Sequence, residues 1–251
     1  MCPKINLHIH TLQSRCAQRE MTVNNIIMKA QAAGLEVIGL SDHLHEKNRD
    51  FNEMILTTRR CLTQIETSIT VLVGCEAQMV SPEKVTIDQS VAVQLDYVSI
   101  SADHYHVPEV ENPRKKTPPA YADHYLKMLE GALDTGFCSM ISHPFVFSKV
   151  EEMDVRQALA AYDKKALTSI LKKAADRNVA FEFNPKHAAT FPGFYTELVS
   201  TFHDLGVKFT IGTDAHSLSD IGYVISDDLI KALGINEDDF TVPIKTCNRI
   251  R

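Results

Sequence analysis

Two hydrophobic periods alternate along the chain. Short apolar runs with strand character are separated by longer stretches whose apolar residues recur every three or four positions. The first run is Ile5–His10, read Ile-Asn-Leu-His-Ile-His. Further strands are predicted at Glu36–Leu40, Thr70–Val73, Tyr97–Ser101, Cys138–Ile141, Val179–Phe183 and Lys208–Ile211. Between the first two, Thr22 is positioned to cap a helix carrying Val23, Ile26, Ile27 and Ala30, with Gly34 as its stop. Helical spacing also covers about Asp50–Glu66, a short piece at Asp88–Gln94, and Ala120–Thr135. Later helices are predicted at Asp154–Tyr162, Lys164–Arg177, about Phe194–Leu205 and Asp227–Leu233. The proline-bearing segment Val107–Pro119 reads as a long loop.

Seven short strands alternating with helices predict parallel strands joined by βαβ crossovers. An open doubly wound sheet and a closed barrel both satisfy that pattern. The chain has no Gly-x-Gly-x-x-Gly and no P-loop, which removes the usual nucleotide-binding signature of the open sheets. No shift of composition marks a boundary, so one unit spanning residues 1–251 is expected.

Composition narrows the function more than the fold. With 251 residues, 44% of them hydrophobic and 23% charged, the chain is long enough for a large core. A net charge of −6 disfavours a nucleic-acid surface. No apolar run is long enough to span a bilayer. The strand pattern begins within a few residues of Met1, where a signal peptide would lie, so none is expected. The six cysteines are scattered and form no Cys-x-x-Cys, which predicts reduced thiols and a cytoplasmic protein.

The unusual residue is histidine, with 11 copies. On a strand, residues i and i+2 point the same way, so His8 and His10 are expected to face one space. His8/His10, Asp42/His43, Glu76, His104/His106, His143 and Asp214/His216 each fall at the C-terminal end of a predicted strand. In a parallel barrel those ends converge on one face. A buried cluster of unpaired donors would be costly, whereas divalent ions satisfy imidazoles and carboxylates together. A single ion uses three or four protein ligands, so this many donors predict two or three ions, bridged by Glu76 or Asp214. Clustered ions suit phosphate ester hydrolysis.

The order His8-Ile9-His10, Ser41-Asp42-His43, Gly74-Cys75-Glu76, His104, Ser142-His143-Pro144, Asp214-Ala215-His216 resembles the PHP family, named for polymerase and histidinol phosphatase. The resemblance runs from Asn6 to about Gly222. It implies a distorted (β/α)7 TIM-like barrel, a trinuclear site of zinc, manganese or iron, and phosphoesterase activity with metal-bound hydroxide as nucleophile. It also implies roles. His8, His10, Glu76 and Asp214 would hold one ion. Glu76 would bridge to a second, held also by His104 and His143. His43 and His216 would belong to a third. Where the family commonly has a further histidine, this chain has Cys16. Cys16 is then either a thiolate ligand favouring zinc or a small buried thiol beside a two-metal site.

Asp214 is expected to orient the nucleophile or take its proton, and His106 to protonate the leaving group. Lys186, after the family-like Glu182-Phe183-Asn184, and Arg15 are candidates for binding substrate phosphate. Asp42 is expected to orient a ligand histidine from behind. A small phosphomonoester is the expected substrate, histidinol phosphate being one candidate. A nuclease or cyclic phosphodiesterase and a non-catalytic metal-stabilised module are the alternatives.

Overall fold

Nine strands and ten α-helices follow one another in the computed structural model, which describes residues 3–45, 49–147, 150, 154–222 and 226–244. The first half contains β1 (Ile5–Ile9), α1 (Val23–Ala32), β2 (Val37–Leu40), α2 (Phe51–Leu62), β3 (Thr70–Val73), β4 (Glu76–Ser81), β5 (Lys84–Val85), α3 (Gln89–Ala92) and β6 (Ser99–Ser101). Next come α4 (Pro118–Asp134), β7 (Met140–Ile141), α5 (Val155–Ala160), α6 (Lys164–Asp176) and β8 (Ala180–Phe183). The last described elements are α7 (Pro185–Thr190), α8 (Pro192–Leu205), β9 (Phe209–Ile211), α9 (Leu218–Ile221), α10 (Asp227–Leu233) and a final 3-10 turn at Glu237–Asp239.

The seven predicted strands are all present, six of them somewhat shorter than expected and β3 with its expected bounds, and their neighbours pair in parallel. The hydrogen bonding nevertheless divides them. One sheet has the order β1-β2-β3 and the other β5-β4-β6-β7-β8-β9. Single parallel bridges, Ile9 to Ala215 and His43 to Glu76, connect the two. A continuous closed barrel is therefore not what the ladders show; an α/β architecture with parallel neighbours is.

Two strands were not predicted. The third strand ends at Val73 as expected, but Glu76, expected in the loop just past its end, instead opens β4. The chain bends at Gly74–Cys75 and continues beside the extension of β2: the Glu76 amide donates to the Asp42 carbonyl at 3.0 Å, and the Leu44 amide to the Glu76 carbonyl at 3.0 Å. The Tyr97 ring accounts for the small residues here. It lies so close over Gly39 and Gly74 that a β-carbon at either would overlap it, and its hydroxyl donates to the Leu7 carbonyl at 2.6 Å. After the bend β4 turns back into β5, an antiparallel pair in an otherwise parallel arrangement.

Helix ends follow their local chemistry. Thr22 accepts from the Asn25 amide, and Asp50 from the Glu53 amide. The fourth helix starts at Pro118 rather than Ala120, because proline suits a first-turn position that needs no amide donor. The short helices α7 and α9 were not predicted; each has too few turns to show a period.

The main core packs β4–β9 against the later helices, and a smaller one packs α1 against β1 and β2. A third cluster joins Leu7, Leu72, Met140 and Ala180 from four strands with Tyr97, just before β6. No described helix is long and apolar enough to cross a membrane. Cys16, Cys61, Cys75 and Cys138 carry free thiols.

Candidate metal centre

His8 and His10 do face one space, with their Nε2 atoms 3.1 Å apart and both rings buried. Asp214 comes to them from the turn after β9, its Oδ1 lying 3.0 Å from His10 Nε2 and 3.4 Å from His8 Nε2. Glu76 sits at the centre. Its Oε2 is 3.4 Å from His8 Nε2 and 2.9 Å from His43 Nδ1; its Oε1 is 2.7 Å from His143 Nε2 and 3.5 Å from His104 Nε2.

The donors fall into three groups, in each of which the ligand atoms lie within 4.8 Å of one another. They are His8, His10, Glu76 and Asp214; Glu76, His104 and His143; and His10, His43 and His216. Glu76 belongs to two groups and His10 to two.

The far side of each ring shows which nitrogen is free. His104 Nδ1 is 3.0 Å from the amide oxygen of Gln78, which only accepts, so Nδ1 carries the proton. His216 Nδ1 likewise donates to the Asp214 carbonyl at 2.9 Å. The Ser14 hydroxyl donates to Asp42 at 2.7 Å, so it accepts from His10 Nδ1 at 3.1 Å. His8 Nδ1 is held by Glu182 at 2.6 Å, and His143 Nδ1 lies 2.9 Å from Asp103. The Nε2 lone pairs of His8, His10 and His104 are thereby turned toward the shared space, the arrangement that outer carboxylates and carbonyls impose on metal-binding histidines.

In the metal-free site burial pulls His8 down, but Glu182, Glu76 and Asp214 outweigh it and hold the ring well above its usual value, so an ion must displace a proton to use its Nε2. Burial pushes His10 and His104 down to about 3, so both are neutral and able to coordinate. Burial opposes ionisation of Glu76 and Asp214, yet the facing imidazoles hold both carboxyls well below the ordinary range. His43 is pushed up to about 10, Glu76 outweighing its burial.

Two observations fit a bound cation. Glu76 Oε2 and His43 Nδ1 are buried and close, yet neither has a hydrogen bond of acceptable geometry. His143 and Asp214 occupy left-handed backbone, with φ 27° and 51°, at a cost of order 1–3 kcal/mol each. The mixed imidazole and carboxylate donors suit zinc and its neighbours.

Cys16 is exposed, not a small buried thiol. Its thiol hydrogen-bonds with His216 and His43, which lower it to about 6 against the effect of burial. The third group nevertheless takes His10 rather than Cys16. His106 and Arg15 are exposed and line a cavity of 300 Å³ over the donors. The His106 ring centroid is 5.3 Å from that of His104. Lys186 falls in α7, and its side chain lies outside the described residues. Asp42 reaches His10 through Ser14 rather than directly.

Sequence reasoning assigned no role to Glu182, Asp103, Gln78 or His187. Glu182 carried a usable signal, as the one charge in the apolar strand Ala-Phe-Glu-Phe. It is fully buried, and a β-carbon on Gly212 would come within 2.6 Å of its carboxyl carbon and 2.8 Å of His8 Cβ. His187 lines the cavity, and its Nδ1 is buried without a hydrogen-bond partner.

Comparison with known proteins gives a consistent picture. The PHP domain profile matches residues 6–186. A probable phosphatase of Caldicellulosiruptor bescii is 25% identical over 87% of this chain and 82% of its own. A probable phosphatase of Vibrio vulnificus is 24% identical over 93% and 86%. The crystal structure of histidinol phosphate phosphatase from Lactococcus lactis, complexed with zinc, L-histidinol and phosphate, shares the fold: TM-score 0.67 and 18% identity, covering 94% of this chain and 95% of that one. A profile match over so much of the chain, on residues that converge in space, makes this protein a member of the PHP domain family.

Proposed function

We propose that residues 1–251 form one barrel-type phosphomonoesterase unit that hydrolyses a small phosphate ester at this centre. The observation that carries the proposal is the sharing of Glu76 and His10 among three donor groups, which makes the groups adjacent parts of one site. Two or three divalent ions there, zinc, manganese or iron, would polarise phosphoryl oxygens and acidify a bound water.

His8, His10, Glu76 and Asp214 would hold the first ion, and Glu76, His104 and His143 the second. His43 and His216 would hold a third, with His10 or Cys16. Asp214, with 37% of its side chain exposed, faces the cavity and takes the proton of the attacking water. His106, at the rim, returns a proton to the leaving oxygen. Arg15 and Lys186 neutralise the substrate phosphate. The 300 Å³ cavity suits a small ester better than a nucleic acid strand, and the probable phosphatases among the relatives support the same chemistry.

The test is phosphate release from a panel of small phosphomonoesters, histidinol phosphate included, using protein stripped of metal and reloaded with zinc or manganese. Glu76→Ala is expected to lower turnover by about 10²–10³-fold and to retain less metal. Wild-type turnover and full metal content in Glu76→Ala would remove the bridging role. No release from folded, metal-loaded protein would overturn the phosphatase reading.

A further inference from the structure

A second cavity, of 360 Å³, opens beside the metal cavity, and His45 and Val107 line both. The buried Gln78 lines it too and joins it to the centre, because its Oε1 holds His104. One wall is apolar, made by Phe51, Val80 and Val85. The same cavity is lined by two permanent cations, Arg49 and Lys84, and by the carboxylate of Glu109.

Among the described residues no ion pair neutralises these cations. Arg49 donates to the backbone carbonyl of Gln13, a neutral group, so its guanidinium is positioned without being compensated. Among the described residues no carboxylate lies within ion-pair distance of Arg49 or Lys84, Glu109 included. A concave site of this kind attracts an anion, and a guanidinium suits an oxyanion's two oxygens. The apolar wall requires some hydrocarbon between that anion and the ester.

Resting on the phosphatase reading above, we infer that this second cavity receives the leaving group, and that the substrate class is a phosphomonoester with an apolar body and a second anionic group. The phosphate sits over the metal donors, the apolar body passes Val107, and the second anion meets Arg49 and Lys84. A cationic leaving group, such as the amine of histidinol phosphate, meets the wrong charge here. Specificity comes from the β4–β5 turn, the start of α2 and the loop after His104 rather than from the metal ligands.

The experiment compares phenyl phosphate, 4-carboxyphenyl phosphate and tyramine phosphate as substrates of the metal-loaded enzyme. It also measures calorimetric binding of benzylphosphonate and 4-carboxybenzylphosphonate. The carboxylated ester is expected to exceed phenyl phosphate about tenfold in kcat/KM, with tyramine phosphate the poorest. The carboxylated phosphonate is expected to bind more tightly by a similar factor. Arg49→Gln with Lys84→Gln should bring both ratios near one. Lys84→Glu, at an exposed position that folding tolerates, should reduce both ratios. Equal turnover of the three esters overturns the inference and leaves the phosphatase reading intact. No turnover of any ester, with the phosphonate preference preserved, overturns the phosphatase reading and with it the leaving-group role, and leaves the second cavity as an anion-binding site only. Failure of both phosphonates to bind, or an unchanged preference in the charge variants, overturns the inference as well.

Discussion

His8, His10, His104, His143 and His216 each have a polar group against their outer nitrogen, and that group decides what the inner nitrogen can do. Glu182 is the strongest case, fully buried at 2.6 Å from His8 Nδ1. Glu182→Ala removes the group that orients and charges His8, so zinc affinity is expected to fall about 10–100-fold. Competition against a chromophoric chelator measures it; an unchanged affinity would mean that packing alone orients the ring. The pair Glu76 and His43 contributes to the pH behaviour of the metal-free protein. Burial opposes both charges, but each outweighs it for the other. The depressed Glu76 contributes stability above about pH 4.5 that is lost as pH falls through its lowered value. The raised His43 contributes stability that is complete below about pH 6.5 and lost as pH rises through about 10. His10 and His104, pushed down to about 3, oppose folding below about pH 6.5, so metal-free protein is expected to melt progressively lower as pH rises from about 6.5 toward 10, and to lose stability again well below pH 6.5. Melting curves recorded in chelator check this, and a melting temperature that climbs into the alkaline range would contradict it.

At the level of elements, the centre depends on close approaches that only glycine permits. Gly212 follows β9 against Glu182 and His8, and its added methyl would lie 2.6 Å from the Glu182 carboxyl carbon. Gly212→Ala is expected to cost about 1–3 kcal/mol, as overpacking of a filled interior does. Gly193, in the first turn of α8, has open space within 4 Å of where a methyl would stand. Gly193→Ala is expected to be neutral or to stabilise by up to about 1 kcal/mol, because alanine loses less backbone freedom in a helix. Urea midpoints of the two variants compare them directly; equal midpoints would show that the Glu182 region relaxes freely. The bend at Gly74–Cys75 has the same logic. It lets one stretch of chain leave the first sheet as β3, enter the second as β4, and deliver Glu76 between them.

For the whole molecule, the two sheets meet through single bridges at Ile9–Ala215 and His43–Glu76, both at or beside the candidate donor residues. Ions bound there would tie together segments that few backbone hydrogen bonds connect. Zinc at 100 times its dissociation constant adds about 2.7 kcal/mol to stability. In a domain of this size that corresponds to a rise in Tm of roughly 5–10 °C. Calorimetry of stripped and reloaded protein tests this. Identical melting temperatures, with metal shown to be bound, would mean that the site forms equally well in the unfolded chain or contributes nothing to the seam.

The alternation of periods was enough to establish seven strands, their parallel pairing and most helices, because burial on one face leaves a local mark in the sequence. The convergence of the candidate donors was equally legible, since histidines at strand ends have little other reason to recur in that order. What stayed hidden depended on partners far along the chain. Glu182 lies 174 positions from His8, and neither residue announces the other. The split at Gly74 follows from where the Tyr97 ring lies, and the exposure of Cys16 from how its loop packs. A local pattern records whether a residue is buried, whereas only the folded chain determines which distant group occupies the space beside it.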